Sequence, residues 1–145
     1  RSAPMNMVIT ETGAASAVSK VLPDLAGKMT GNAVRVPTPN VSLAIISLNL
    51  KNKPEDVNEV NYNLKAASAY GSLAEQIDYS TSNEFVSTDV VGNSHASVLD
   101  APATKLSVDR DNVILYAWYD NEYGYTRQVV RLAKYLSNVI RFTYY

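Results

Sequence analysis

The hydrophobic pattern is clearest toward the C-terminal end of the chain. Val113-Ile114-Leu115-Tyr116-Ala117 is a solid apolar run, and Trp118 to Tyr125 is polar and aromatic. Val129, Leu132, Ala133, Leu136 and Ile140 then recur at helical spacing. A run that is apolar on both faces predicts a strand covered on both sides or central in its sheet. Asp120-Asn121 with Gly124 is turn chemistry. The reading is a buried strand that enters a polar turn and opens a long helix. A hydrogen-bonding turn on a rigid strand end is a natural place for a ligand.

Earlier segments are shorter. Met7-Val8-Ile9 reads as a strand. Ala14, Ala17, Val18, Val21 and Leu22 form one face of a helix that Pro23 stops. Thr12 sits where an N-cap belongs, and free N–H groups at a helix start can also hold an anion. From residue types alone a plain cap is the stronger reading. Arg35 lies between Val34 and Val36 on a strand ended by Pro37 and Pro39. Its fork of donors suits a phosphate or a structural carboxylate; on type alone the salt bridge leads.

Val41 to Lys51 is the clearest strand. Ile46, Leu48 and Leu50 alternate with Ser47, Asn49 and Lys51, and a phase shift near Ile45-Ile46 suggests a bulge. Pro54-Glu55-Asp56 opens a helix with Pro at its first position and a stripe of Val57, Val60, Leu64 and Ala67, ended by Gly71. Ile77–Tyr79, Phe85–Val91, Ala96–Leu99 and Leu106–Val108 read as short strands joined by hairpin-like turns. These elements predict an α+β fold with a mixed, mostly antiparallel sheet and helices packed on one face. No GxGxxG, phosphate loop or internal repeat appears, so the chain has no dinucleotide-binding βαβ unit of its own.

Composition narrows the chemistry. The 145 residues fit one domain, 46% are apolar, and the formal net charge of −1 offers no basic field for nucleic acid. No apolar run approaches the ~18 residues a membrane span needs. Residues Arg1 to Met5 lack a signal-peptide layout, and a start on Arg1 is what a fragment or a processed chain would show. There is no cysteine, hence no disulfide, thiolate metal site or cysteine nucleophile in these residues. The single histidine, His95, follows a turn and reads as a surface residue, without a nucleophile elbow beside it. One histidine with scattered acids makes a poor metal site.

Trp118-Tyr119-Asp120-Asn121-Glu122-Tyr123-Gly124-Tyr125 resembles the C-terminal signature of phosphorylating glyceraldehyde-3-phosphate dehydrogenases. Other segments resemble the catalytic domain of the same family in the right order: Thr12 to Ala15, Gly27 to Gly31, Arg35 to Ser42, and Val86 to Asp89. The likeness covers roughly residues 1–138, ending in the long helix. Residues 139–145 close that helix and form a tail without a counterpart.

The resemblance implies a function. In that family an aldehyde becomes a thioester on a cysteine with a histidine as base, a hydride passes to NAD or NADP, and inorganic phosphate releases an acyl phosphate. The motifs with the cysteine and the base, and the dinucleotide-binding domain, lie upstream of where this chain begins. The implied substrates are glyceraldehyde 3-phosphate and inorganic phosphate, in a homotetramer when full-length. The cytoplasm is the implied location, with a plastid form as the alternative. Thr12, with Gly13, matches the threonine that binds the attacking phosphate. Arg35 matches the arginine between the two phosphate sites. Asn121 matches the asparagine that bonds the nicotinamide carboxamide, and Tyr125 a tyrosine near that ring. Arg1 matches an arginine near subunit contacts. No catalytic residue and no metal ligand is carried over.

Two departures matter. Thr10-Glu11 brings a carboxylate next to the implied phosphate site, and Tyr123 stands where phenylalanine is usual. Alternative readings are an inactive, truncated relative serving as a binding or assembly module, and a dehydrogenase for erythrose 4-phosphate.

Overall fold

Strand β7 (Asn112–Tyr119) is the centre of the larger of two sheets. A computed structural model describes residues 5–139. The chain divides into two compact units that meet between Pro39 and Asn40.

The first unit is a ribbon with a helix between its strands. β1 (Val8–Glu11) and β2 (Asn32–Arg35) pair antiparallel, from Val8 opposite Arg35 to Glu11 opposite Asn32. Helix α1 (Ala14–Val21) follows β1, and Pro23 opens a single 3-10 turn where α1 ends. The apolar face read from the sequence lies on α1, but no α1 residue is buried and Val21 is 79% exposed. Two four-residue strands offer too little surface to cover a helix.

In the second unit the strand order is β3 (Ser42–Asn49), β7, β5 (Ser97–Asp100), β4 (Ile77–Ser80), with β6 (Lys105–Leu106) also paired to β7. β3 (Ser42–Asn49) runs antiparallel to β7 in one unbroken register, from Ser42 opposite Tyr119 to Asn49 opposite Asn112. The bulge expected at Ile45-Ile46 is therefore absent. The phase shift arises because β3 lies at the end of the sheet and leaves Ile45 64% exposed. Helix α2 (Val57–Ala69) begins three residues later than expected. Asp56, not Pro54, precedes its first turn, and the Asp56 carboxylate accepts the Glu59 N–H at 2.9 Å. Gly71, with φ +85°, follows its end.

The segment between β4 (Ile77–Ser80) and β5 (Ser97–Asp100) departs most from the sequence reading. These two strands are parallel, so residues 81–96 form a crossover and not a hairpin. Residues Ser87–Val90, expected within a strand, form a 3-10 turn closed by the Asp89 carboxylate, which accepts the Val86 N–H at 2.9 Å. The turn drives Val90 into full burial beside Val41 and Val98. Phe85 and Trp118 complete this cluster with an edge-on contact at 6.4 Å. β6 is only Lys105–Leu106. The described residues thus give three α-helices and a mostly antiparallel sheet, the α+β class expected.

Helix α3 (Tyr123–Leu136) docks through its first turns. Gly124 is its buried residue, and a Cβ there would lie 2.7 Å from the His95 carbonyl oxygen. Gln128 donates to the Ser94 carbonyl at 3.0 Å. The predicted stripe of Val129, Leu132 and Leu136 remains exposed, and Ile140 lies outside the described residues, as do Arg1 and the 141–145 tail.

Gly124→Ala must push α3 off the 93–95 turn. A loss of roughly 1–3 kcal/mol is expected in urea denaturation, and unchanged stability would contradict the close contact.

Candidate functional site

The residues singled out from the sequence divide between the two units. In the first, Thr12 follows the last residue of β1. Gly13, not Thr12, is the N-cap of α1, and its backbone closes the first turn by accepting the Ala17 N–H at 2.9 Å. The Thr12 hydroxyl instead accepts the Ala14 N–H at 3.2 Å. It still serves the helix start, one residue earlier than expected, because the small Gly13 is the residue that enters the helix.

Arg35 ends β2, exposed, opposite Val8. Among the described residues it makes no ion pair. The alternation of a strand puts Val8, Thr10, Ala33 and Arg35 on one face of the ribbon and Ile9, Glu11, Asn32 and Val34 on the other. The Glu11 carboxylate therefore sits on the face opposite Arg35. Three residues separate Arg35 from the Asn32 end of the ribbon, about 10 Å along the strand.

In the second unit the site is built around a residue the sequence reading took only as turn chemistry. Asp120 is 3% exposed. Its carboxylate accepts the N–H groups of Gly92 at 2.9 Å, Glu122 at 2.9 Å and Tyr123 at 2.8 Å, and the side-chain amide of Asn40. The Gly92 N–H is the largest cause that lowers its pKa, to about 2. Burial opposes the shift, and the Tyr123, Glu122 and Asn40 donors assist it. The signal in the sequence was an acid just before a helix start, where it caps free N–H groups.

Asp120 fixes the backbone that carries Asn121. The exposed Asn121 side chain accepts the Ser42 hydroxyl at Oδ1, at 2.8 Å. Its Nδ2 group is the end left for a partner. Val41, next to Ser42, has φ +73°, a left-handed value rare for a β-branched residue. Tyr125 is 70% exposed in the first turn of α3.

His95 is half-buried, contrary to expectation. Its Nδ1 lies 2.9 Å from Asn93 Oδ1 and 3.8 Å from Asp78 Oδ2, and Asn93 Nδ2 donates to Asp78 at 2.8 Å. The turn is drawn inward because α3 packs against the His95 carbonyl. A separate open hollow of about 450 Å³, lined by Asn58, Tyr62, Lys65 and Tyr79 among others, contains none of the predicted site residues.

The Asp120 carboxylate contributes about 2 kcal/mol to stability at neutral pH, from the lowering of its pKa. Because the folded value lies below the ordinary 3.8, this contribution is complete above the unfolded value and disappears as pH falls toward about 2. Asp120→Asn should lower stability at neutral pH and flatten the acid limb between about pH 4 and pH 2. Urea titrations across that range test this; an unaltered limb would refute the role.

Residues 1–121 match the family model described as glyceraldehyde 3-phosphate dehydrogenase, C-terminal domain. A glyceraldehyde-3-phosphate dehydrogenase-like protein of Pseudomonas aeruginosa (strain UCBPP-PA14) is 55% identical over 139 residues, 96% of this chain and 30% of that protein. The testis-specific glyceraldehyde-3-phosphate dehydrogenase of Mus musculus is 47% identical over 136 residues, 94% of this chain and 30% of that protein. The glyceraldehyde-3-phosphate dehydrogenase of Claviceps purpurea (strain 20.1) is 44% identical over 137 residues, 94% of this chain and 40% of that protein. The chain thus spans about 30–40% of the length of these relatives. It belongs to the glyceraldehyde 3-phosphate dehydrogenase family and represents the C-terminal domain of that family.

Proposed function

We propose that this chain supplies phosphate-binding and nicotinamide-contacting residues to a phosphorylating, NAD- or NADP-dependent glyceraldehyde-3-phosphate dehydrogenase. The observation that carries the reading is the division of its polar groups into two sets of fixed chemistry. The ribbon of the first unit bears a cation and hydroxyl and backbone donors. The β7–α3 turn of the second bears a neutral amide.

On the ribbon, Arg35 offers a planar fork of N–H donors to a phosphate, with no competing ion pair among the described residues. Thr12 and the Gly13 backbone offer donors at a helix start, where an anion is favoured. Glu11, on the face opposite Arg35, is kept from neutralising it. The role of these groups is to hold the substrate phosphate and inorganic phosphate in place without gaining or losing protons.

Asn121 fits a carboxamide. Its oxygen is occupied by Ser42, which leaves the two Nδ2 hydrogens to donate to a carboxamide oxygen. Tyr125 provides exposed aromatic surface in the adjoining helical turn. When bound, the nicotinamide supplies the hydride acceptor. These residues have no part in the covalent step: the chain contains no cysteine, and His95 Nδ1 is engaged by Asn93. By itself the chain is read as inactive toward the aldehyde.

The proposal extends to a homotetramer in the cytoplasm, or in a plastid. The exposed apolar side chains of β3, Leu43 and Ile45, support a covering partner for that strand.

The test is Arg35→Ala in the protein that carries this chain. It should lower kcat/KM for glyceraldehyde 3-phosphate by roughly a hundredfold, the loss expected when a charge-assisted, two-pronged phosphate contact is removed. Near-wild-type kinetics would remove the assignment. Erythrose 4-phosphate, assayed in parallel, should be the poorer substrate.

A further inference from the structure

We propose that Ser42 is a positioning residue for Asn121, held in place by the left-handed turn at Val41, and that its hydroxyl dictates which end of the Asn121 amide a ligand meets. The inference rests on the reading of Asn121 as the nicotinamide contact.

An exposed asparagine amide is a poor recognition element unless something orients it. Its terminal torsion is broad and roughly two-fold, and its two ends have opposite hydrogen-bond character. A carboxamide ligand has the same ambiguity, so an unoriented pair has no single match. Here the Ser42 hydroxyl donates to Asn121 Oδ1 at 2.8 Å across 79 residues of sequence. In this arrangement the oxygen faces Ser42 and the Nδ2 group is the end left for the ligand.

Ser42 is itself held firmly. The residue before it, Val41, keeps φ +73° while its side chain is buried with Val90 and Val98. A β-branched residue persists in that conformation only where its surroundings over-determine it. They do so here. Val41 N–H donates to Asn40 Oδ1 at 2.7 Å, and the Asn40 side chain also bonds Asp120. Ser42 then enters β3 opposite Tyr119, the last residue of β7. Asn40 and Ser42 therefore grip two consecutive residues, Asp120 and Asn121, from either side of the strained Val41.

The experiment is a double-mutant cycle in the protein that carries this chain, read by calorimetric titration of NAD or NADP and by the steady-state constants. Ser42→Ala should weaken cofactor binding roughly fivefold to tenfold, the factor one hydrogen bond carries. The KM values for aldehyde and phosphate should not move. Ser42→Thr, which keeps the hydroxyl, should restore binding to within about twofold. In the background of Asn121→Ala, Ser42→Ala should have no further effect, because its only route to the ligand is gone. Crystal structures of Ser42→Ala should show the Asn121 amide turned or in two positions.

Unchanged cofactor affinity in Ser42→Ala, with Asn121→Ala impaired, overturns the positioning role and leaves Asn121 as the contact. Additive losses in the cycle overturn it equally. Wild-type affinity in Asn121→Ala overturns the underlying reading of Asn121, and this inference with it.

Discussion

The second unit depends on one buried carboxylate. Asp120 gathers donors from the crossover at Gly92, from the entry to β3 at Asn40, and from the N–H groups of Glu122 and Tyr123. A carboxylate removed from water is costly unless its lone pairs are met. Here they are met by groups that cannot ionise. One anion thus ties the crossover and the entry to β3 to the turn that opens α3. The start of α3, the close approach of Gly124 to the 93–95 turn and the presentation of Asn121 all rest on it. Replacement by a neutral group of the same shape removes the charge that makes each of these bonds stronger than a neutral one.

Much of this was legible in the sequence where a pattern is local. The apolar run at Val113–Ala117 gives β7, the alternation after Val41 gives β3, and the stripe from Val57 gives α2. Periodicity marks which face of a helix is apolar, yet it does not say what covers that face. The stripes on α1 and α3 are real and largely uncovered among the described residues. The crossover at 81–96 was misread because its one fully buried residue, Val90, is delivered by a cap-driven turn that has no period. The long-range part of the role of Asp120 was hidden for a different reason, although an acid before a helix start is a local signal. Its first partner is 28 residues away, and no local rule pairs Gly92 with it. On type alone Arg35 favours a salt bridge over a phosphate and Asn121 reads as turn chemistry; the family resemblance is what implies a ligand for each.

The two units carry different kinds of polar group. The ribbon offers positive charge and hydroxyl and backbone donors, which suit anions. The turn after β7 offers an amide of fixed direction, which suits another amide. A guanidinium keeps its charge, and hydroxyl and amide groups have no proton to exchange near neutrality. Under the proposed function, any bell-shaped dependence of the reaction on pH must therefore originate in groups that these residues do not include.

The docking of α3 also has a mechanical meaning. Its fixed points are Gly124 against the His95 carbonyl and Gln128 against the Ser94 carbonyl, both in its first half, while Leu136 at its far end is 71% exposed. Among the described residues the helix is a cantilever. From Gly124 to Leu136 it extends about 18 Å at the usual rise per residue. A one-degree tilt at its root moves that tip by about 0.3 Å, by simple leverage over that length. Anything that grips the tip therefore has a long arm acting on the same turn that carries Asn121 and Tyr125.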